Sequence, residues 1–337
     1  MEKLLELDDI TLYPSEINNG IQLGKYNFGI IDELDNSNSL PIFTAPIEEV
    51  VCKDNWKIWN EKGIKPILPN TEDIQTRLEG CQYIFTSFLL SEIKEHFIGR
   101  GKRSSSMQFK ICINEENGEN GEILNVASQL KKMYGNQINI MAGNIGNPKT
   151  YLNYCKYGID YARVGLSSST LFDYNKYGFY YPLASLLIDI NGLRATSAVG
   201  LKQTKVIADG GVSNPVDILK CLALGADYVM CGRTFSKLLE ASGSLHKKEK
   251  NESGEDIDIT ITITEAERLF QELGPKNAKV YRMFYGNRAE KVEWVRVDSD
   301  LKNWLTKMYD VFNYAFSMSN SVSWKSFKSN IKFGRIQ

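Results

Sequence analysis

The stretch KVIADGGVSNPVDILKCLALGADYVMCG, residues 205–232, decides the fold of this chain of 337 residues. It begins with a continuous apolar run, which is typical of a strand buried on both faces, and a Gly-rich turn follows. A helix is predicted next, because Asn214 is a favoured N-cap residue and Pro215 suits the first helical position. Gly225 then predicts the end of the helix before a second apolar run. The stretch is therefore predicted to be a strand–helix–strand unit of a parallel sheet.

A second stretch, IMAGNIGNPKTYLNYCKYGIDYARVG (140–165), repeats the order of strand, turn, helix and strand. Asn147 and Pro148 predict the start of its helix, and Gly158 predicts its end. In both stretches the Gly-rich turn that follows the strand presents backbone N–H groups, which makes it a natural site for a phosphate.

Eight strand candidates with intervening helices occur along the chain, as in a closed (β/α)8 barrel. They are residues 40–46, 65–69, 82–88, 109–114, 138–143, 161–165, 205–211 and 227–232. Thr71 is predicted as the N-cap of the second helix, and the last helix is predicted at 300–316. The alternative is an open doubly wound sheet, which usually carries one dominant Gly-rich fingerprint near its start. This sequence has none there, so we predict an α/β fold of the (β/α)8 TIM-barrel class.

The domain organisation is predicted to be a single barrel over residues 1–337, because no linker-like segment divides the chain. Residues 241–297 are expected to form a flap or insertion, and residues 317–337 a C-terminal arm. Within the flap, the charged run at 246–258 lacks apolar periodicity and predicts a mobile loop. The alternating ITITIT that follows predicts a hairpin strand.

Composition narrows the functional classes. The formal net charge of −1 gives no reason to expect nucleic acid or an anionic membrane as a partner. The basic, aromatic tail is interpreted as an arm packed on the domain, with nucleic-acid binding as the alternative. Two histidines argue against a His-ligated metal, and no metal is expected. Six cysteines without a CxxC pair indicate a reducing compartment. No signal peptide or spanning segment is recognised, so a cytoplasmic protein is expected.

The order of several motifs resembles that of the IMP dehydrogenase/GMP reductase family, over nearly the whole chain. The motifs, with the family's version in parentheses, are LDDITLYP at 7–14 (FDDVLL-P), LPIFTAPIEEVV at 40–51 (PLVSAPMDTVT), INIMAGN at 138–144 (IAGNV), YARVG at 161–165 (VKVG), IADGG at 207–211 (ISDGG), ADYVMCG at 226–232 (AVMLG) and FYGN at 284–287 (YGM). The regulatory domain that dehydrogenases often insert is absent from this sequence. Its length is therefore closer to that of the reductases.

The resemblance implies that the barrel binds a purine nucleoside monophosphate. Asp209 would hold the ribose hydroxyls, and Gly210, Gly211 and Gly232 would present backbone N–H groups to the phosphate. Arg233 stands where the family usually has a small residue, and it would either add a bidentate phosphate contact or lie on the surface. The other positions that the resemblance assigns to the substrate are Thr44, Asn144, Ser169, Thr170, Tyr285, Gly286 and Asn287.

The sequence departs from the family where the family's chemistry takes place. The catalytic cysteine of the family lies in the loop after the sixth strand, and here that loop reads VGLSSSTLFDYNKYG (164–178). Phe172 stands at the cysteine position, and Phe cannot act as a nucleophile. Asn114 stands where the family has an aspartate on the cofactor side. Cys231 is the only thiol expected near the pocket, so we predict chemistry without a cysteine adduct.

Three functional classes remain open. The first is a redox enzyme with altered chemistry, which would use NADP or NAD. The second is a non-redox enzyme that breaks or exchanges the base at the glycosidic bond, which requires a carboxylate near C1′. The third is a catalytically silent nucleotide-binding protein. Extra acids in two loops, including Glu115 and Glu119, favour an active site over a silent one.

By resemblance a homo-oligomer, a tetramer, is expected. The candidate catalytic carboxylates are Asp209, Glu48, Glu116 and, from a loose alignment with the reductase flap, Glu290.

Overall fold

Sixteen strands and eleven α-helices are assigned in the parts of the chain that the computed structural model describes, which are residues 4–16, 26–31, 38–100, 107–115, 117–166, 178–196, 202–250, 256–284 and 293–336. The strands are β1 (Ile10–Tyr13), β2 (Ile30–Ile31), β3 (Asn38–Ser39), β4 (Ile42–Thr44), β5 (Ile67–Leu68), β6 (Phe85–Phe88), β7 (Phe109–Asn114), β8 (Ile138–Ile145), β9 (Tyr161–Val164), β10 (Lys205–Asp209), β11 (Tyr228–Cys231), β12 (Leu245–Lys250), β13 (Asp256–Ile261), β14 (Val280–Phe284), β15 (Glu293–Val297) and β16 (Lys332–Arg335). The helices are α1 (Trp56–Glu61), α2 (Ile74–Gly80), α3 (Leu90–Ile93), α4 (Gly121–Tyr134), α5 (Pro148–Lys156), α6 (Leu183–Thr196), α7 (Pro215–Ala223), α8 (Arg233–Ser236), α9 (Ile263–Leu273), α10 (Leu301–Met318) and α11 (Trp324–Asn330).

Eight parallel strands form the barrel, in the order β4-β11-β10-β9-β8-β7-β6-β5. A parallel bridge between Phe43 and Lys65 brings the chain that enters β5 beside β4. Two backbone hydrogen bonds support this closure, from Thr44 N to Lys65 O (3.0 Å) and from Lys65 N to Ile42 O (2.9 Å). The predicted (β/α)8 TIM barrel is confirmed. Seven of the eight predicted strand segments contain one of these strands, and the eighth, 138–143, covers all of β8 except its last two residues.

The barrel interior is filled by side chains from alternate strand positions, as closure requires. Four aromatic rings pack there edge to face or tilted, and the ring centroids of Phe43 and Tyr228 lie 5.1 Å apart. The buried interior cluster consists of Phe43, Ile67, Phe85, Cys112, Met141, Tyr161, Ile207, Tyr228 and Met230. Residues at the intervening positions face outward and pack under the helices. Side chains that line a site must therefore come from the ends of the strands, above this layer.

The predicted helix starts at Asn147 and Asn214 are confirmed. The side chain of Asn147 accepts a hydrogen bond from Lys149 N, and that of Asn214 accepts from Val216 N. Thr71 was the wrong N-cap for α2, because the carboxylate of Asp73 caps this helix. Asp73 accepts hydrogen bonds from both the backbone N and the hydroxyl of Thr76, at 3.0 and 2.6 Å.

A second, antiparallel sheet follows the barrel strands, in the order β13-β12-β14-β15, and α9 covers one of its faces. The mobile loop predicted at 246–258 is therefore wrong for residues 246–250 and 256–258, which pair as a hairpin; residues 251–255 lie outside the described part. The charged run can form a hairpin because the residues that flank it, Leu245 and Ile261, are buried together on the side of the sheet that α9 covers. Lys247 also forms ion pairs with Glu249 (2.7 Å) and with Glu265 of α9 (3.2 Å).

The C-terminal segment packs on the barrel. Its last strand, β16, pairs antiparallel with β1 and so joins the two ends of the chain. Trp324 and Phe327 of α11 are buried, and the indole N–H of Trp324 donates to the carbonyl of Phe28 at 2.8 Å. The tail thus packs on the rest of the chain through Trp324 and Phe327. Of the helices in the described ranges, none has both the length and the apolar character that crossing a membrane would require.

Candidate active site

Four polar side chains meet at the carboxyl end of the barrel, one from each of four adjacent strands. They are Asn114 from β7, Asn144 from β8, Arg163 from β9 and Asp209 from β10, and all four are buried. The carboxyl ends of barrel strands are where enzymes of this fold place their functional groups. This polar cluster is therefore the candidate active site.

Hydrogen bonds connect the four side chains into one network. The carboxylate oxygen Oδ2 of Asp209 accepts from Arg163 Nε at 2.9 Å and from Asn144 Nδ2 at 2.9 Å. The Nη1 group of Arg163 also donates to the side-chain oxygen of Asn114 at 2.9 Å. Burial opposes the charged form of Arg163, but the Asp209 carboxylate outweighs burial and raises the pKa of this guanidinium. The network thus holds one buried positive and one buried negative charge in direct contact.

Two glycines allow the strand ends to approach this closely. Gly143 has φ +147°, and a Cβ atom there would lie 2.5 Å from both Cβ and the carbonyl oxygen of Arg163. Gly165 has φ +142°, and a Cβ atom there would lie 2.1 Å from the carbonyl oxygen of Asp209. Neither position has room for a side chain. These glycines position the polar cluster.

One buried acceptor of the cluster is left without a protein partner. Because Nδ2 of Asn144 faces the Asp209 carboxylate, its Oδ1 is an acceptor, and Oδ1 is buried with no hydrogen-bond partner among the described residues. A buried polar atom without a partner costs about 1–3 kcal/mol. A ligand hydroxyl or N–H placed here would remove that cost, so this atom points to a bound molecule.

The predicted phosphate turns lie beside the cluster. Gly210 and Gly211 follow β10 with φ values of +114° and +72°, and Gly232 follows β11 as the N-cap of α8. The two strands are adjacent and parallel, so both turns lie at the same edge of the sheet. The hydroxyl of Thr234 donates to the carbonyl of Val212 at 2.8 Å, which joins the two turns directly.

Other predicted residues have different surroundings. Thr44 is buried, and its hydroxyl accepts from Ile67 N at 3.0 Å, a contact that helps to close the barrel. Arg233 is half exposed and forms an ion pair with Glu293 of β15. Glu48 is exposed in the turn after β4. Seven predicted positions lie outside the described residues: Glu116, Ser169, Thr170, Tyr285, Gly286, Asn287 and Glu290.

The extra acids that favoured an active site over a silent one are partly structural. The carboxylate of Glu115 accepts from Leu90 N at 2.7 Å, at the start of α3. The carboxylate of Glu119 accepts from Gly146 N and Asn147 N, both at 2.9 Å, at the start of α5. Carboxylates are stabilising at helix N-termini, which accounts for both residues. Their presence was therefore the wrong argument for catalysis.

The thiols are arranged differently from the prediction. Cys231 packs among the outward-facing residues under the helices, and its neighbour Met230 faces the interior. Cys112 faces the interior instead, and its Sγ lies 3.9 Å from Nη1 of Arg163. The expectation that Cys231 is the only thiol near the pocket is thus wrong. Burial raises the pKa of both thiols, so neither favours the reactive thiolate.

Sequence reasoning missed Arg163 as a site residue. A signal was present, because a charged residue in the buried run YARV must face a polar partner. Successive side chains of a strand alternate between its two faces, so Cys112 and Asn114, two residues apart on β7, point to the same, interior face.

A cavity of about 470 Å³ lies at the opposite, amino-terminal side of the barrel and is lined by Ser128, Lys131, Lys132, Lys156, Tyr157 and Gly158. Its lysines belong to the last turns of α4 and α5, where cations balance the carbonyl ends of a helix. Lys131 is also held by Asp160, with Nζ 2.6 Å from Oδ2. This cavity is therefore separate from the polar cluster, and the ends of α4 and α5 account for the lysines that line it.

Comparisons with known proteins converge on one family. A sequence model described as "IMP dehydrogenase / GMP reductase domain" matches residues 106–260. The chain is 31% identical over 140 residues to GMP reductase 2 of Homo sapiens and of Mus musculus, which covers 41% of this chain and 38% of each relative. It is 26% identical over 134 residues to inosine-5'-monophosphate dehydrogenase of Chlorobaculum parvum, which covers 40% of this chain and 26% of that protein. The matched region therefore spans about two fifths of the length of the GMP reductases.

Proposed function

We propose that this chain is an enzyme of the IMP dehydrogenase/GMP reductase family that binds a purine nucleoside monophosphate and transforms it without a cysteine adduct. The observation that carries the proposal is the buried network around Asp209, with one acceptor of Asn144 left for a ligand. A ribose offers hydroxyl donors of the kind that both side chains can accept. The sugar would therefore lie on Asp209 and Asn144.

The phosphate would lie on the two adjacent turns. Gly210 and Gly211 on one side and Gly232 with Arg233 on the other would surround it with backbone N–H groups and one guanidinium. This arrangement supports a nucleoside monophosphate in preference to a free nucleoside. The base would extend from the sugar across the mouth of the barrel.

A cysteine-independent reaction is supported by both sequence and burial. Residues 164–178 contain no thiol, and Phe172 stands at the position of the family's nucleophile. The interior thiol of Cys112 and the outward thiol of Cys231 are both buried, with raised pKa values. A covalent adduct would require a thiolate, which these surroundings disfavour.

A nicotinamide cofactor, NADP or NAD, would bind beside the nucleotide if the reaction is redox. On the cofactor side the family has an aspartate where this chain has Asn114, whose side-chain oxygen accepts from Arg163. The described residues therefore do not fit a cofactor contact that requires a carboxylate at this position.

This disagreement favours the second candidate function, base cleavage or base exchange at the glycosidic bond. In that reaction the bond between C1′ and the base nitrogen would break, the base would leave, and water or an incoming base would form the new bond to C1′. The Asp209 carboxylate, held by Arg163 and Asn144, would stabilise the positive charge that develops at C1′. No cofactor would be needed for that reaction.

The binding proposal is tested by calorimetry with IMP, GMP, AMP and their deoxy forms. Asp209→Asn keeps the shape of the side chain but removes its charge, so we expect affinity to fall at least about tenfold, because hydrogen bonds to charged groups contribute about 1.5–3 kcal/mol each. Asp258→Asn, an exposed change on β13, is the matched control and should bind like the wild type. If none of these nucleotides binds to the wild-type protein, the proposal fails.

The reaction class is tested by incubation of the protein with IMP or GMP and each nicotinamide cofactor. Absorbance of the reduced nicotinamide reports a redox reaction, and mass spectrometry for free or exchanged base reports cleavage. Binding without either product would leave the silent nucleotide-binding protein as the function and contradict an enzyme.

A further inference from the structure

We propose that the side chain of Arg233 exchanges the carboxylate of Glu293 for the phosphate of the bound nucleotide, so that phosphate binding releases β15 from α8. The inference rests on the proposed function and assigns Glu293 as a positioning residue for the same site. It follows from the different surroundings of the backbone and the side chain of Arg233.

The backbone of Arg233 belongs to the phosphate turn. Arg233 is the first residue of α8, directly after Gly232. The next residue, Thr234, is fixed by its hydrogen bond to Val212, behind the turn of Gly210 and Gly211. A phosphate held by these turns would therefore lie close enough for the side chain of Arg233 to contact it.

The side chain of Arg233 lies on the second sheet instead. Its guanidinium forms an ion pair with Glu293, the first residue of β15, and the two side chains are 53% and 48% exposed. Ion pairs this exposed are weak, since water competes for both partners. A phosphate carries more charge than a carboxylate and matches the guanidinium fork in two-point contacts. The phosphate is therefore the stronger partner for Arg233.

A second arginine shows that the exchange can occur without detaching the whole sheet. Arg282 of β14 is fully buried and donates to the carbonyls of Leu238 and Ala241, both at 2.9 Å. Burial lowers the pKa of Arg282 to about 10, which still leaves it charged at neutral pH. These contacts fasten β14 to the chain that follows α8. The Arg233–Glu293 pair at β15 is exposed by comparison and is the one that can open.

The test measures by calorimetry the affinities of the wild type, of Glu293→Gln, of Arg233→Ala and of the double variant for GMP and guanosine, and for IMP and inosine. Glu293→Gln removes the competing charge, so we expect it to bind the nucleotides about two- to fivefold more tightly, the range that an exposed ion pair accounts for. Affinity for the nucleosides, which lack the phosphate, should not change. Arg233→Ala should weaken nucleotide binding about tenfold or more, and adding Glu293→Gln to it should have no further effect.

Glu249→Gln is the matched control, because Glu249 is another exposed acid of the same sheet and pairs with Lys247. It should leave all affinities unchanged, which excludes a general effect of net charge. Equal or weaker nucleotide binding by Glu293→Gln overturns the exchange, since Glu293 would then be neutral or would help Arg233. A wild-type protein that binds none of these molecules overturns the proposed function itself.

A spectroscopic readout follows the release of β15. Trp294 is next to Glu293, and its ring packs edge-on against His246 with centroids 5.1 Å apart. Nucleotide should change the tryptophan emission of the wild type and of Glu249→Gln, but not that of Arg233→Ala. Trp294→Phe identifies which part of the emission belongs to this residue. An emission change that persists in Arg233→Ala contradicts the coupling.

Discussion

At the scale of single residues, the Arg163–Asp209 pair both stabilises the fold and belongs to the candidate active site. The two charges are buried and 2.9 Å apart, so each compensates for the desolvation of the other. Arg163→Leu leaves the carboxylate buried and unpaired, and we expect a loss of about 3–5 kcal/mol in the free energy of unfolding. Urea denaturation measures this loss. The double variant Arg163→Leu/Asp209→Leu should recover part of it, and a single variant as stable as the wild type would contradict the pairing.

The cysteines give a second prediction at this scale. If the proposed function holds, Cys112→Ser and Cys231→Ser should keep turnover of the purine nucleotide within about threefold of the wild type, because neither buried thiol favours the thiolate that nucleophilic catalysis requires. Circular dichroism checks that each variant is folded. Turnover that disappears in a folded Cys112→Ser protein would show that the interior thiol, 3.9 Å from Arg163, takes part in the chemistry.

At the scale of secondary-structure elements, α2 and α3 are joined by a bidentate ion pair. Arg77 donates through Nη1 and Nη2 to the two carboxylate oxygens of Glu92, at 2.8 and 2.6 Å. Partial burial opposes ionisation of Glu92, but the hydrogen bonds from Arg77 and from Leu89 N and the attraction of the Arg77 charge together outweigh it, and the pKa of Glu92 lies below its usual 4.5. A lowered carboxyl pKa contributes stability above the unfolded value and loses it as pH falls through the folded value.

Glu92→Gln should therefore lower the melting temperature at neutral pH and have a smaller effect in acid, below the pH at which Glu92 is protonated in the folded protein. Thermal unfolding followed from neutral pH to below pH 4.5 measures the difference between the two proteins. Glu79→Gln, a change on the same helix at a carboxylate that accepts from Gln75 and not from Arg77, is the control. Curves for Glu92→Gln and wild type that stay parallel over the whole range would contradict the assignment.

The elements also show what a sequence can and cannot predict. The barrel strands and the starts of α5 and α7 were predictable because Asn-Pro and Gly signals act locally. The strand pairing of the charged residues 246–250 was not, since they are stabilised by β13 and by α9, contacts that no local pattern contains. The hairpin strand predicted from the alternating residues 259–264 is confirmed for 259–261, which belong to β13, and wrong from Ile263, where α9 begins. Asp209 was found from its motif. The unpartnered oxygen of Asn144 was not, because it depends on how four strand ends meet.

At the scale of the whole molecule, the two ends of the chain are fastened together beside α7 and α10. Trp324 is the centre of this junction, with its ring 5.0 Å from that of Phe312 and its indole N–H on the carbonyl of Phe28. Trp324→Ala removes a buried indole and leaves that carbonyl without its donor, so we expect a loss of about 3–5 kcal/mol in the free energy of unfolding. Val322→Ala, at a side chain that is 75% exposed, should change it by less than about 0.5 kcal/mol. Urea denaturation compares the three proteins. The ring and hydrogen-bond contacts of Trp324 in the described part of the chain are with Phe28, Phe312, Phe316 and Phe327 and not with the polar cluster. Nucleotide affinity at low temperature should therefore stay unchanged in folded Trp324→Ala, and a matching loss of affinity would show that the junction also positions the site.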